Sequence, residues 1–295
     1  MAELPAPGGA VACGDLALTF GDRVPTRARA GSTWSVLAEG PAWRLWSTAP
    51  TPGWRGLTLS RRADPEDLLL TFGTRPEHWL SLRLQAADGR WHVRTDRFAT
   101  VHAYATDGMV TTFSPAAWDR DPPLDWEAIA GFVRLGWYPA DRMPVSGVRL
   151  LRPATEEQWS ADGRPLGATR WQGWDHDPDP AATAESAADA LAVTLEEVLD
   201  HQAAGTRLGL PISGGLDSRV TVAALTRPGR GGPRPDLWAF SYGYDEDSVE
   251  LRIAGEVAAA RDLTLHTTVV EPYLFDRWDD VVDATEGLVD LTLCR

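Results

Sequence analysis

The stretch LGLPISGGLDSRVTVAAL, Leu208–Leu225, places a serine, two glycines and an aspartate between a strand-like apolar run and a helix-like run. A β-strand that turns through glycines into a helix brings backbone N–H groups and the positive end of the helix dipole to one point. That point is an anion-holding concavity at the carboxyl end of a strand. Ser213 and Ser218 add hydroxyl donors. Asp217 is out of place beside phosphates unless it holds the divalent cation that accompanies them. The pattern therefore suits a nucleoside triphosphate gripped by main chain. In isolation SGG is also a tight turn with Asp217 as a helix cap. The strand before it and the helix after it favour the binding reading.

The surrounding sequence supports an α/β context. RLGLPI, PDLWAFSYG and LTLHTTVV read as buried strands. DSRVTVAAL, VELRIAGEVAAARD and PYLFDRWDDVVDATEG read as helices. Such alternation predicts a parallel sheet covered on both faces. A long helix over 184–202 precedes it, with Leu191, Leu195, Val198 and Leu199 as its apolar stripe. The Asp-, Pro- and Ala-rich segment 175–183 reads as a linker. Residues 15–115 are β-rich, with TWSVLAEG, WRLWSTA, GLTLS, WLSLRLQ and WHVRTDR alternating apolar and polar residues. Asp88-Gly89 and Asp107-Gly108 mark hairpins. PLDWEAIAGFVRLG predicts a helix capped by Asp125 and stopped at Gly136.

Composition narrows the function classes. The 295 residues suit two domains, and 43% apolar content suffices for their cores. The net charge of −14 argues against a nucleic-acid partner, which needs a basic patch. The chain contains no lysine, so it has no Walker A loop. No apolar run is long enough for a membrane span, no signal peptide is evident, and Cys13 and Cys294 form no disulfide framework. These features point to the cytoplasm.

SGGLDS resembles the pyrophosphate-binding loop of the N-type ATP pyrophosphatases and, more narrowly, of the asparagine synthetase family, which includes β-lactam synthetases and lasso-peptide cyclases. FSYGYDEDSVELRIAGEVAAARDLTLHTTVV is similar to that family's second strand, acidic loop, helix and third strand. VRTDRFATVHAYATDGMVTTFSP and IAGFVRLGWYPADRMPVSGVRLLRPAT resemble the end of its N-terminal domain. The resemblance implies an α+β, Ntn-hydrolase-like β-rich sandwich over 1–174. An α/β parallel-sheet PP-loop ATPase domain, incomplete, would follow over 184–295.

The family's chemistry implies that ATP binds with its pyrophosphate end on Ser213, Gly214, Gly215, Asp217 and Ser218. Asp217 would hold Mg²⁺. A small-molecule carboxylate becomes an acyl-adenylate, and an amine or ammonia then displaces AMP. By alignment Pro211 and Tyr242 border the adenine, although packing alone also explains either residue. Asp245, Glu246, Asp247 and Glu250 lie near the nucleotide in that alignment, while a favourable acidic first helical turn accounts for them equally. His266 either faces the nucleotide or is a hydrogen-bonded structural imidazole. The 14 tryptophans read as packing residues.

Two departures from the family stand out. Ala2 occupies the place of the amidotransferase cysteine, and Cys13 is internal, so no glutaminase activity is expected. The family's second acidic loop is not found before Arg295. The expectation is a fragment or short form, with a homodimer or a partner chain supplying the missing half. The alternative function is a non-catalytic nucleotide- or partner-binding member of the family.

Overall fold

The computed structural model describes residues 4–50, 57–62, 64, 66–75, 77–203, 207–228 and 235–291. Ala2 and Cys294 lie outside these residues. Contacts divide the chain into two compact units. One takes in Met1–Asp175 with Arg277–Cys294, the other His176–Asp276.

The first unit begins with strands β1 (Ala10–Cys13), β2 (Leu16–Phe20), β3 (Trp34–Gly40), β4 (Trp43–Thr48) and β5 (Leu57–Arg62). It continues through β6 (Asp67–Arg75), β7 (His78–Gln85), β8 (Trp91–Thr95), β9 (Tyr104–Thr106) and β10 (Met109–Thr111). Helix α1 (Trp126–Leu135) and strands β11 (Arg149–Leu150), β12 (Thr155–Trp159) and β13 (Pro165–Arg170) complete its N-terminal part. Among the described residues these strands make two antiparallel sheets. One runs β1-β5-β6-β7-β8-β12-β13 and the other β11-β9-β10-β2-β4-β3.

The inward residues of alternating strands fill one core between the two sheets. Leu59, Leu70, Phe72, Leu80, Leu82, Trp91 and Val93 of the first sheet meet Leu16, Leu18, Phe20 and Leu45 of the second. Phe20 stacks on Trp159 at 6.2 Å, and Trp43 meets Trp91 edge-on at 5.0 Å. The hairpins expected at Asp88-Gly89 and Asp107-Gly108 are present, with Gly89 and Gly108 taking the positive φ each turn needs. Helix α1 starts where Asp125 accepts a hydrogen bond from Ala128 N and ends at Gly136 in the left-handed region. The sandwich is thus a mixed α/β arrangement dominated by large antiparallel sheets.

The second unit holds α2 (Ala184–Ala203), β14 (Arg207–Pro211), α3 (Leu216–Thr226), β15 (Asp236–Gly243), α4 (Val249–Ala260) and β16 (Thr264–Val269). The three strands are parallel in the order β14-β15-β16. Leu208, Leu210, Leu237 and Ala239 point to the helix side, where Val222, Leu225, Ala254 and Ala258 close the core.

The expectation of a sheet covered on both faces is corrected. Trp238, Phe240, Tyr242 and His266 share the opposite face, and Phe240, Tyr242 and His266 are exposed. The reason is topological. Parallel crossovers are right-handed, and a strand order that advances in one direction puts successive helices on the same side. Gly209 belongs to this bare face. A Cβ there would lie 2.5 Å from the Trp238 ring, so glycine lets the indole lie across β14.

Three further expectations change. On α2, Leu191 and Val198 are exposed and only Leu195 and Leu199 of the stripe are partly buried, because the helix meets α3 only along its C-terminal part. The last helix, α5, spans Trp278–Thr285 rather than starting near Pro272, whose missing N–H and fixed φ suit an irregular approach. The second domain, expected over 184–295, gives up Arg277–Cys294 to the first unit. Ion pairs explain this last difference. Arg29 donates to Asp15, to the Asp283 carbonyl and to Glu286, and Ser114 N donates to Glu286 Oε2.

Candidate functional site

The SGG loop opens at the carboxyl end of β14. Ile212 N still bonds Phe240 O at 2.9 Å, extending the ladder one residue past the strand. The chain then leaves the sheet and α3 starts at Leu216. Two hydroxyls tie the loop. Ser213 N donates to Ser218 Oγ at 3.1 Å, the two hydroxyl oxygens lie 3.1 Å apart, and Gly215 N donates to Ser213 Oγ at 3.2 Å. Ser218 Oγ also reaches the Ser213 and Gly215 carbonyls.

The glycines serve space rather than a left-handed backbone, since neither has a positive φ. A Cβ on Gly215 would stand 3.2 Å from Ser213 Oγ, and one on Gly214 would stand 3.3 Å from Ile253 Cδ1. Gly215 is the N-cap of α3 and supplies no capping side chain. The first-turn amides of α3 are therefore left for an incoming acceptor. Gly215 and Asp217 are exposed and Gly214 is partly buried, so the loop is an open surface at a helix start.

A cavity of about 580 Å³ sits over this loop. Pro211, Ser213, Asp217, Ser218 and Tyr242 all line it, whereas Gly214 and Gly215 shape the loop without lining the cavity. Sequence reasoning missed Phe240, Tyr244 and Thr221, which also line it. The signal for the two aromatics was parity: Phe240, Tyr242 and Tyr244 alternate along β15 and its exit, and Tyr242 meets Tyr244 edge-on at 6.5 Å. Of the acidic cluster, only Glu250 reaches the cavity, from the first turn of α4. Ser248 rather than an aspartate caps that helix, accepting from Leu251 N. His266 sits on the bare sheet face against Trp238 at 5.5 Å and does not line the cavity.

Among the described residues, none that lines the cavity is arginine or histidine. Arg219 turns back to the loop and donates to the Gly215 carbonyl. The cavity thus offers amides, hydroxyls and two carboxylates, Asp217 and Glu250. Among the described residues no group of three or more His, Cys, Asp or Glu side chains is gathered to hold a metal. The two carboxylates are nevertheless a donor set that suits Mg²⁺, which takes oxygen ligands and commonly keeps several waters.

In the first unit, Cys13 is buried at the end of β1, and burial pushes its thiol up to about 11. It is protonated at neutral pH and unsuited to nucleophilic attack. Among the described residues no helix is long and apolar enough to cross a membrane.

The chain matches no curated protein. A family model described as asparagine synthase matches residues 190–292, the stretch that contains the SGG loop, its cavity and all three parallel strands.

Proposed function

We propose that the chain is an ATP-dependent, amide-forming ligase that activates a small-molecule carboxylate as an acyl-adenylate. The observation that carries this reading is the Ser213–Ser218 loop. It leaves a parallel strand, opens on an exposed cavity and starts a helix with no side-chain cap, all within the stretch matched to asparagine synthase.

In this reading the loop amides and the Ser213 and Ser218 hydroxyls hold the pyrophosphate portion of ATP. Pro211 and Tyr242 flank the base. Asp217, with Glu250 across the cavity, would hold Mg²⁺, which neutralises charge on the phosphates. A carboxylate oxygen attacks the α-phosphorus, the bond from that phosphorus to the bridging oxygen breaks, and pyrophosphate leaves with the electron pair. Amine or ammonia nitrogen then attacks the acyl carbon. AMP departs with the C–O electron pair, and the nitrogen loses a proton. The loop's contribution is electrostatic: donors fixed before the reaction stabilise the charge that grows on the leaving pyrophosphate.

The sandwich would act as a scaffold without glutaminase activity, consistent with the buried, protonated Cys13. The reading places the protein in the cytoplasm, with no nucleic-acid or membrane partner and with a homodimer or partner chain completing the site. Exchange of labelled pyrophosphate into ATP, measured across a panel of carboxylic acids, tests the proposal. Absence of exchange with every acid, at a protein concentration that binds ATP–Mg²⁺, overturns it.

A second reading, nucleotide binding without turnover, rests on one feature. Among the described residues the cavity holds two carboxylates and no basic side chain to stabilise the transferring phosphoryl group. Calorimetric binding of ATP–Mg²⁺ without exchange supports this reading over the first.

A further inference from the structure

We propose that the outer face of the seven-stranded sheet carries a binding site for a flat aromatic carboxylate, centred on Arg94. The face holds a cavity of about 440 Å³ built across β6, β7, β8 and β12. Its side chains come from alternate residues that point away from the sandwich core, so the site owes nothing to the packing between the sheets.

Arg94 is the anomaly in this cavity. It is partly buried, and its Nε is buried with no hydrogen-bond partner. Among the described residues its interactions are with rings alone. Its guanidinium carbon lies 4.5 Å from the centre of the Trp171 ring and 5.8 Å from that of Trp79. Glu156 stands directly opposite in the β8–β12 register, where an ion pair would be expected. Glu156 instead engages His92 Nδ1 at 2.9 Å, and His92 Nε2 lies 3.3 Å from Gln85 Oε1. The other guanidinium of the cavity, Arg83, is held by Asp67. Among the described residues, this cavity therefore keeps one cation, Arg94, without a counter-ion.

The surroundings state what would satisfy it. A guanidinium that lines a cavity and has no hydrogen-bond partner among the described residues offers its terminal N–H groups to a carboxylate. Trp79 lines the cavity and offers one flat indole beside that guanidinium, backed by Trp171, whose ring stacks near-parallel to it at 6.3 Å with the planes 14° apart. Leu69 supplies an apolar wall. A ligand with one carboxylate and one planar apolar body meets all three features. A bare inorganic anion leaves the indole unused, and a neutral arene leaves the cation unused.

Isothermal calorimetry on the full chain tests this with indole-3-acetate as probe and indole-3-acetamide as its neutral counterpart. Indole-3-acetate is expected to bind at least about tenfold more tightly than the amide, and Arg94→Gln to weaken it by about tenfold or more. Trp79→Leu is expected to weaken both probes. Saturating ATP–Mg²⁺ is expected to leave binding unchanged, which separates this site from the SGG cavity. Equal affinity for the two probes, unaltered binding by Arg94→Gln, displacement by ATP–Mg²⁺, or no binding of indole-3-acetate at millimolar concentration overturns the proposal. If Arg94→Gln does not fold, the comparison of the two probes on the unaltered chain decides the matter.

Discussion

Replacing Asp15 with asparagine should make the sandwich unit relatively more stable as pH rises. Asp15 is almost fully buried and shares one guanidinium, Arg29, with Glu286. Thr112 and Tyr104 also face this cluster, and Cys13 lies next to it. Two effects compete for the Asp15 proton. Burial and the Glu286 charge favour the neutral acid, while Arg29 favours the carboxylate. Burial wins, because one cation cannot compensate two desolvated carboxylates. The carboxyl is raised from 3.8 to about 6, and Glu286 is raised as well. A carboxyl whose folded value is raised costs stability as it ionises. The cost is absent below the unfolded value, grows as pH climbs from there to the folded value, and is constant above it. For Asp15 that window runs from 3.8 to about 6. The full cost is about 3 kcal/mol, of which about 2 kcal/mol appears between about pH 4.5 and about pH 7.5. Asparagine mimics the neutral acid and leaves Arg29 bound to Glu286 at 2.7 Å. Urea unfolding of both proteins at those two pH values, followed by far-ultraviolet circular dichroism, measures the difference. The variant should gain about 2 kcal/mol on the native protein between the two pH values. A constant difference, or a gain for the native protein as pH rises, would show that Arg29 dominates and refute the argument.

Other perturbations separate the site from its scaffold. Asp217→Asn alters an exposed side chain, so stability should hold within about 0.5 kcal/mol while pyrophosphate exchange falls about a hundredfold or more; unchanged exchange would remove Asp217 from the site. Ser218→Ala deletes the hydroxyl that accepts from Ser213 N, and calorimetry should show ATP–Mg²⁺ binding weakened by about 1 kcal/mol. Chelating divalent cations should abolish nucleotide binding, because among the described residues carboxylates line the cavity and no arginine or histidine does; equally tight binding in excess EDTA would contradict this. Gly136→Ala places a Cβ in a left-handed cap with φ of 80° and should cost about 1 kcal/mol in urea unfolding, with nucleotide binding unaffected.

Local chemistry made part of this molecule readable. Asp125 and Gly136 bracket α1 because a side-chain acceptor and a glycine meet needs that arise within one turn of chain. The SGG loop was equally plain, since its geometry depends on residues within six positions of one another. Strand β12 was hidden for a physical reason. Its inward residues are Thr155, Glu157 and Trp159, and an acidic residue at an inward position breaks the apolar alternation that marks a strand. Arg149 makes that burial tolerable, bonding both Glu157 oxygens at 2.6 Å from the neighbouring segment. Strand β13 is exposed along its whole length and carries no alternation at all. The Asp15–Arg29–Glu286 cluster joins residues more than 250 positions apart and leaves no local trace.

The bare face of the parallel sheet shows how a correct reading of elements can still misplace a surface. Each of Trp238, Phe240 and Tyr242 sits at a position where alternation alone predicts burial on one face or the other. Strand order, not residue type, decides which face receives helices. With β14, β15 and β16 advancing in one direction, α3 and α4 take the same side, and the aromatic side stays open. That open side borders the cavity over the SGG loop through Pro211, Phe240 and Tyr242. The same parity that leaves Phe240 and Tyr242 uncovered therefore supplies the cavity's flat wall, on which a purine ring can stack. Its backbone floor comes instead from the loop where β14 stops. Under the proposed function, recognition of the base and grip on the phosphates would thus depend on different features of the chain, the register of β15 and the glycines after β14. Substitutions at Tyr242 and at Gly215 should accordingly be separable. The first should change preference among nucleoside triphosphates with little effect on pyrophosphate affinity, and the second the reverse, as competition binding with pyrophosphate would show.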